Sequence, residues 1–154
     1  MRLRPAKPND VETLFAIRSY VRQNYKSKEE LENLGITIES VKEMIEGGDY
    51  ITILAEADDQ AVGFSMAQIS EAYVFACFVR PEFESRGTGR ALMDSTEAEL
   101  RSRGVERAWL STGAEAGLRA PGFYLHLGWY KDGYLEDGQI IFRKRLINTE
   151  QDVS

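Results

Sequence analysis

The densest cluster of groups able to do chemistry is the pentapeptide Arg86-Gly87-Thr88-Gly89-Arg90. It follows a strand-like run, Tyr73 to Val79 (YVFACFV), which Pro81 cuts off because proline has no N–H for a continuing ladder. A helical pattern opens at once from Ala91. Strand, glycine turn and helix together aim several unpaired backbone N–H groups at one point, at the positive end of a helix dipole. The stretch therefore predicts an anion site, and a phosphate-bearing ligand first of all. A Gly-x-Gly alone is a weak signal, since 13 glycines among 154 residues make roughly one such pair expected by chance. Its context excludes two readings. A dinucleotide fingerprint needs a third glycine where Leu92 stands, and a P-loop needs a Gly-Lys dipeptide, which occurs nowhere.

Two other reactive side chains carry less weight. His126, the only histidine, lies two residues from Tyr124, roughly 200° around a helix, so the pair cannot face one pocket. A surface or packing role is expected for it. The single cysteine, Cys77, sits between aromatics in a strand and reads as a small core residue rather than a nucleophile. One cysteine and one histidine also leave no basis for a disulfide, a zinc site or a serine-protease-like triad, and no metal is expected.

Composition bounds the rest. The chain has the length of one domain, 1–154, with a polar tail at 147–154. Its net charge of −6 argues against nucleic acid or an acidic membrane as a partner, and slightly favours a cationic amine. No apolar run approaches a membrane span, and the first ten residues, MRLRPAKPND, have no apolar stretch behind their basic residues. A cytoplasmic location is expected.

The positioning elements read as α+β. Residues 2–5 form a short first strand. Asn9 and Asp10 cap a helix carrying Val11, Leu14, Phe15, Ile17, Val21 and Tyr25. A charged segment from Lys26 leads to a short second helix, and Thr37 caps a third over Ile38–Glu46, stopped by Gly47-Gly48. Tyr50–Ala57 and Ala61–Ile69 make a hairpin, which Tyr73–Val79 extends. Ala91–Arg103 is a helix with Ala91, Leu92, Ala98 and Leu100 on its apolar side. Val105–Ser111 is a strand, Gly117–Leu127 a helix with Pro121 in its first turn, and Trp129–Tyr134 with Gln139–Arg145 a final hairpin. Trp109 and Trp129 read as core and sheet residues, and Tyr20, Tyr25 and Tyr50 as candidates for an acceptor pocket. The sum is a largely antiparallel twisted sheet of about six or seven strands with about four helices.

Two segments in this order resemble the signatures of the GNAT superfamily of N-acetyltransferases. Phe78-Val79-Arg80-Pro81-Glu82-Phe83 followed by Arg86-Gly87-Thr88-Gly89-Arg90-Ala91-Leu92 is similar to that family's acetyl-CoA loop. Tyr124-Leu125-His126-Leu127-Gly128-Trp129 is similar to its Tyr-x-x-x-Gly-Phe/Trp signature. The element order over residues 2–146 fits as well. Two positions depart from the pattern: Glu84 stands where the family has Gln or Arg, and Gly117 where many members have an Asn that contacts the cofactor. Glu84 is expected to point away from a pyrophosphate or to bond a loop N–H. Ser111 and Thr112 are the nearest replacements for the Asn.

The resemblance implies acetyl-CoA as cosubstrate and direct transfer to a primary amine in a ternary complex. By it, backbone groups of Cys77, Phe78 and Val79 pair with the pantetheine arm, with the Val79 amide at the thioester oxygen. Ser85, Arg86, Gly87, Thr88, Gly89 and Arg90 cradle the pyrophosphate. Tyr124 matches the tyrosine that protonates the departing thiolate as general acid. Glu71, beside Tyr73 at the start of the central strand, is the candidate base, directly or through water. A small-molecule amine is the first acceptor expected, and a peptide or protein amine the second; a homodimer fits the family. The reading from a different class is a non-catalytic acyl-CoA-binding sensor of the same fold, which Glu84 and Gly117 keep open.

Overall fold

Chain-local signals account for most element boundaries in the computed structural model, which describes residues 1–20 and 26–147. The strands are β1 (Arg2–Pro5), β2 (Tyr50–Ala57), β3 (Gln60–Gln68), β4 (Tyr73–Val79), β5 (Arg107–Thr112), β6 (Tyr130–Tyr134) and β7 (Ile140–Arg145). The helices are α1 (Val11–Tyr20), α2 (Lys28–Asn33), α3 (Ile38–Glu46), α4 (Thr88–Ser102) and α5 (Ala120–His126). Thr37 caps α3 as its sequence predicts, accepting from the Ser40 amide at 3.1 Å. Ser27 does the same for α2 through Glu30, also at 3.1 Å. Asn9 and Asp10 differ from expectation. They lie inside a 3-10 turn, Pro8–Asp10, that runs straight into α1. The Asp10 carboxylate instead accepts the Lys7 amide at 2.7 Å and a fork from Arg4 at 2.8 and 3.0 Å, tying β1 to α1. Val21, Tyr25 and the tail beyond Ile147 fall outside the described residues.

Among the described residues, seven strands form one sheet in the order β1-β2-β3-β4-β5-β7-β6. Every pairing is antiparallel except β4 with β5. Asp58 and Asp59, both left-handed (φ 51° and 63°), turn β2 into β3 with the twist that a two-residue hairpin needs. One face of the sheet carries α4 and α5 around Leu92, Met93, Leu100, Trp129 and Phe142. The other carries α1 and α3 around Val11, Leu14, Ile17, Val41 and Phe64. These buried residues recur three and four apart on their helices, which is why α1 and α4 dock with one stripe inward. Ala98, expected on the inner stripe of α4, is exposed; Thr96 and Glu97 take the buried positions instead. α4 also begins three residues earlier than its apolar pattern, at Thr88.

Two irregularities in β4 open the sheet at its centre. Against β3, Met66 pairs with Ala76 and Ala67 with Val74, so Phe75 is an extra, bulged residue. Against β5, the only register pair is Tyr73 with Trp109. That end is closed firmly: the Trp109 amide donates to the Ala72 carbonyl at 2.9 Å, its indole N–H to the Glu71 carbonyl at 3.1 Å, and the Tyr73 and Trp109 rings stack at 4.2 Å. Trp109 is therefore a half-buried clamp between the two strands, facing away from Ala108 and Leu110 of the α4-side core, not a core residue. From Val74 onward, β4 and β5 form no ladder, and a gap runs between them.

Candidate active site

The loop after β4 is built to leave donors unpaired. Phe83, 6% exposed, anchors a 3-10 turn over Pro81–Phe83, and the chain then passes through Ser85 (φ 64°) and Gly87 (φ 82°) into α4. Gly87 is the cap of α4, and its left-handed backbone explains the glycine there. The first helical bond runs from the Ala91 amide to the Gly87 carbonyl at 3.0 Å, which leaves the amides of Thr88, Gly89 and Arg90 without helical partners. Among the described residues, no amide from Ser85 to Arg90 donates a hydrogen bond within the chain. The result is a row of N–H groups at the positive end of a helix. Gly89 has a second reason to be glycine: a Cβ there would stand 3.1 Å from the Phe123 ring of α5.

Side chains around this cradle are arranged rather than crowded into it. Arg86 lies over the Phe83 ring at 5.0 Å, and Arg90 stays exposed, 3.9 Å from Asp94. Glu84, the residue that fits an anion site poorly, forms an ion pair with Arg119 just before α5. Its charge is answered by a side chain of the neighbouring element, not by a loop amide. Gly117 occupies the turn before α5 with φ 92°. The Ser111 hydroxyl donates to Gln139 at 3.0 Å and that of Thr112 to the Gly113 carbonyl at 3.1 Å.

Along β4, the direction of each peptide follows from one bond. The Arg80 amide donates to the Val62 carbonyl of β3 at 2.8 Å. Because peptide direction alternates in an antiparallel ladder, Phe78 also turns its backbone to β3, while Cys77 and Val79 turn theirs to the gap. Side chains alternate as well: Cys77 and Val79 pack on the α4 side, and Phe78 on the α1 side. The gap edge and the loop amides thus form one continuous set of free backbone groups.

Tyr124 closes this set from α5, whose Pro121 sits in the first turn as its missing N–H permits. The Tyr124 side chain is buried, edge-on to Phe123 (5.0 Å) and Trp129 (6.1 Å) and tilted to Phe142 (6.2 Å). Burial, reinforced by the neighbouring Cys77, raises its hydroxyl well above the ordinary tyrosine range. Burial also pushes the Cys77 thiol up to about 12, so it is not a ready nucleophile. His126 is exposed two residues further on, away from Tyr124. Glu71 stands in the exposed β3–β4 turn, ahead of the first residue of β4, and its carbonyl accepts from the Trp109 indole.

One supporting pair escaped the sequence reading. Lys144 of β7 donates to the Leu127 carbonyl at the end of α5 (2.8 Å) and pairs with the buried Glu97 of α4 at 2.7 Å. It locks the helix bearing Tyr124 to the helix behind the cradle. A signal existed: Glu97 lies four residues after Met93 and three before Leu100, in the middle of the buried stripe. Among the described residues, no group of acidic, cysteine or histidine side chains could hold a metal, and no helix is long and apolar enough to cross a membrane.

This arrangement has counterparts in known proteins. The [ribosomal protein bS18]-alanine N-acetyltransferases of Salmonella typhimurium and Escherichia coli K12 are 35% and 30% identical to the chain over 86 residues. The match covers 54% of the chain and 57% of each relative, so the chain spans a little over half the length of the curated relatives it matches. The structure of PaiA N-acetyltransferase from Thermoplasma acidophilum, in complex with coenzyme A, has the same fold. Its TM-score is 0.80 at 19% identity, covering 94% of this chain and 98% of that one. An aminoglycoside 6'-N-acetyltransferase complexed with coenzyme A gives 0.74 at 20% identity, covering 96% and 98%. The family-level match takes in cradle, gap and Tyr124 alike: the acetyltransferase (GNAT) family model aligns with residues 12–129, and the chain belongs to that family.

Proposed function

We propose that the chain transfers an acetyl group from acetyl-CoA to a primary amine in a ternary complex. The observation that carries this is the continuity of unpaired backbone donors, from the loop amides of Ser85–Arg90 to the β4 edge at Val79 and Cys77, ending at Tyr124. A pyrophosphate fits the loop, because helix-terminal amides supply charge without a competing internal bond. An extended arm carrying amides fits the open edge of β4, as an added strand would. The Val79 amide then faces the thioester oxygen, where it stabilises developing negative charge.

Tyr124 is the general acid. Its raised hydroxyl keeps its proton at neutral pH and can pass it to a thiolate released in the same buried place. Cys77 lies beside it but holds its own proton too tightly to attack, which favours direct transfer over a covalent enzyme intermediate. The pairing of Glu84 with Arg119 removes one reason for reading the fold as a non-catalytic sensor. Glu71, exposed at the entry to β4, takes the amine proton through water. The relatives named for an alanine of a ribosomal protein support a peptide amine as readily as a small one.

The test is thiol release with an amine panel. Tyr124→Phe should lower turnover by roughly 10²-fold or more, the usual weight of a positioned acid, with acetyl-CoA affinity unchanged. Unchanged turnover would remove Tyr124 from the chemistry. Glu71→Gln should shift the acidic limb of the pH–rate profile, and an identical profile would exclude it as base.

A further inference from the structure

On the face of the sheet opposite α4 there is a cation that no carboxylate of the described residues answers. Arg18, at the C-terminal end of α1, places its guanidinium carbon 4.1 Å from the centroid of the Phe78 ring. Phe78 lies between Cys77 and Val79, the two residues whose peptides face the gap. None of the guanidinium N–H groups of Arg18 donates a hydrogen bond within the described chain, and no carboxylate among the described residues pairs with it. Its Nη1 is fully buried. A half-buried charge of this kind costs stability unless a counter-anion arrives.

The neighbouring arginine makes the contrast. Arg80, two residues along from Phe78, lies over Tyr20 at 4.6 Å but is served by Glu82 at 2.9 Å and Gln60 at 3.0 Å. Each of the two guanidinium groups keeps one buried nitrogen without a hydrogen bond, but among the described residues only Arg80 has an ion pair, in a chain of net charge −6. Burial draws the Arg18 pKa below its usual value without removing the charge at neutral pH.

We propose that Arg18 is the acceptor-binding residue that holds a carboxylate, so that the acceptor is an amine that also bears a carboxylate group. This rests on the transfer activity proposed above. The phosphates of a cosubstrate are excluded as its partner by position, because the cradle lies at the N-terminus of α4, on the other face of the sheet. A planar fork backed by an aromatic ring suits a planar carboxylate in two-point contact.

The experiment uses the whole chain saturated with coenzyme A and titrates N-acetyl amino acids against their carboxamides by calorimetry. The acids should bind roughly ten- to hundred-fold more tightly than the amides, as expected for charge-assisted bonds to a buried fork. Arg18→Gln should erase that preference, leave coenzyme A affinity unchanged and leave the melting temperature unchanged or higher, because an unpaired charge is removed. Arg18→Lys, which keeps the charge and loses the fork, should retain only part of the preference. Equal binding of acid and amide, a preference that survives Arg18→Gln, or a loss of coenzyme A affinity in that variant would overturn the proposal. Thiol release with amino acids and their amides is measured in parallel. A preference for acids without any release would sink the transfer activity and leave the carboxylate site standing.

Discussion

Lys144→Met gives the most direct measure of how the helix bearing Tyr124 is held. Lys144 is 25% exposed and Glu97 5%, at 2.7 Å, so the substitution leaves a carboxylate almost wholly inside the protein with no partner. The Glu97 Oε2 atom is already unbonded, which leaves the group little to fall back on. Breaking a buried pair from one side costs about 3–5 kcal/mol, and the part-open lysine end places the expectation near the lower bound, about 3 kcal/mol. An unfolding entropy of about 2.1 cal/mol/K per residue gives about 0.32 kcal/mol/K for this length, hence a fall in Tm of about 9 °C. The same change removes the bond to the Leu127 carbonyl, three residues from Tyr124, so kcat should fall while acetyl-CoA affinity holds. Glu97→Leu combined with Lys144→Met should recover most of the stability, since an apolar pair replaces the ionic one, but not the helix-end bond or the full kcat. Calorimetry on the single and double variants, with thiol-release kinetics, separates these effects. A single-variant loss below about 3 °C, or a double variant no better than the single, would refute the reasoning.

The remaining expectations are smaller. Cys77→Ala should keep turnover and its pH profile, because a thiol pushed up to about 12 is un-ionised at working pH; loss of activity beyond a modest packing cost would revive a covalent route. Arg119→Ala should strip Glu84 of its partner beside the cradle and raise KM for acetyl-CoA, more at low salt than at high salt, with kcat unmoved. The Arg4 fork, joined by the Lys7 amide, holds the Asp10 carboxyl below its usual range, so its stabilisation is present above the unfolded value and lost as pH falls through the folded one. Asp10→Asn should therefore cost about 1 kcal/mol near neutral pH and little in strong acid, as read by thermal melts at the two pH values.

Much of this molecule is written locally in the chain. The Thr37 cap, the hairpin at Asp58-Asp59, the break at Pro81 and the proline-started α5 depend on neighbours within a few residues, and the described structure has each of them where its pattern lies. The cradle is legible for the same reason: unpaired amides at a helix start are a property of contiguous backbone. What the chain alone could not decide depends on residues far apart in sequence. The gap exists because β5 touches β4 only where Trp109 meets Tyr73, and no strand pattern encodes how two strands diverge. Glu97 is buried because Lys144, 47 positions away, stands opposite it. Glu84 is tolerated because α5 brings Arg119 alongside, and Arg18 stands out because it is half-buried with no carboxylate of the described residues paired to it. Hydrogen bonds to near neighbours are set by sequence spacing, whereas the environment of a charge is set by what the completed fold packs around it, and the electrostatic character of this site was decided there.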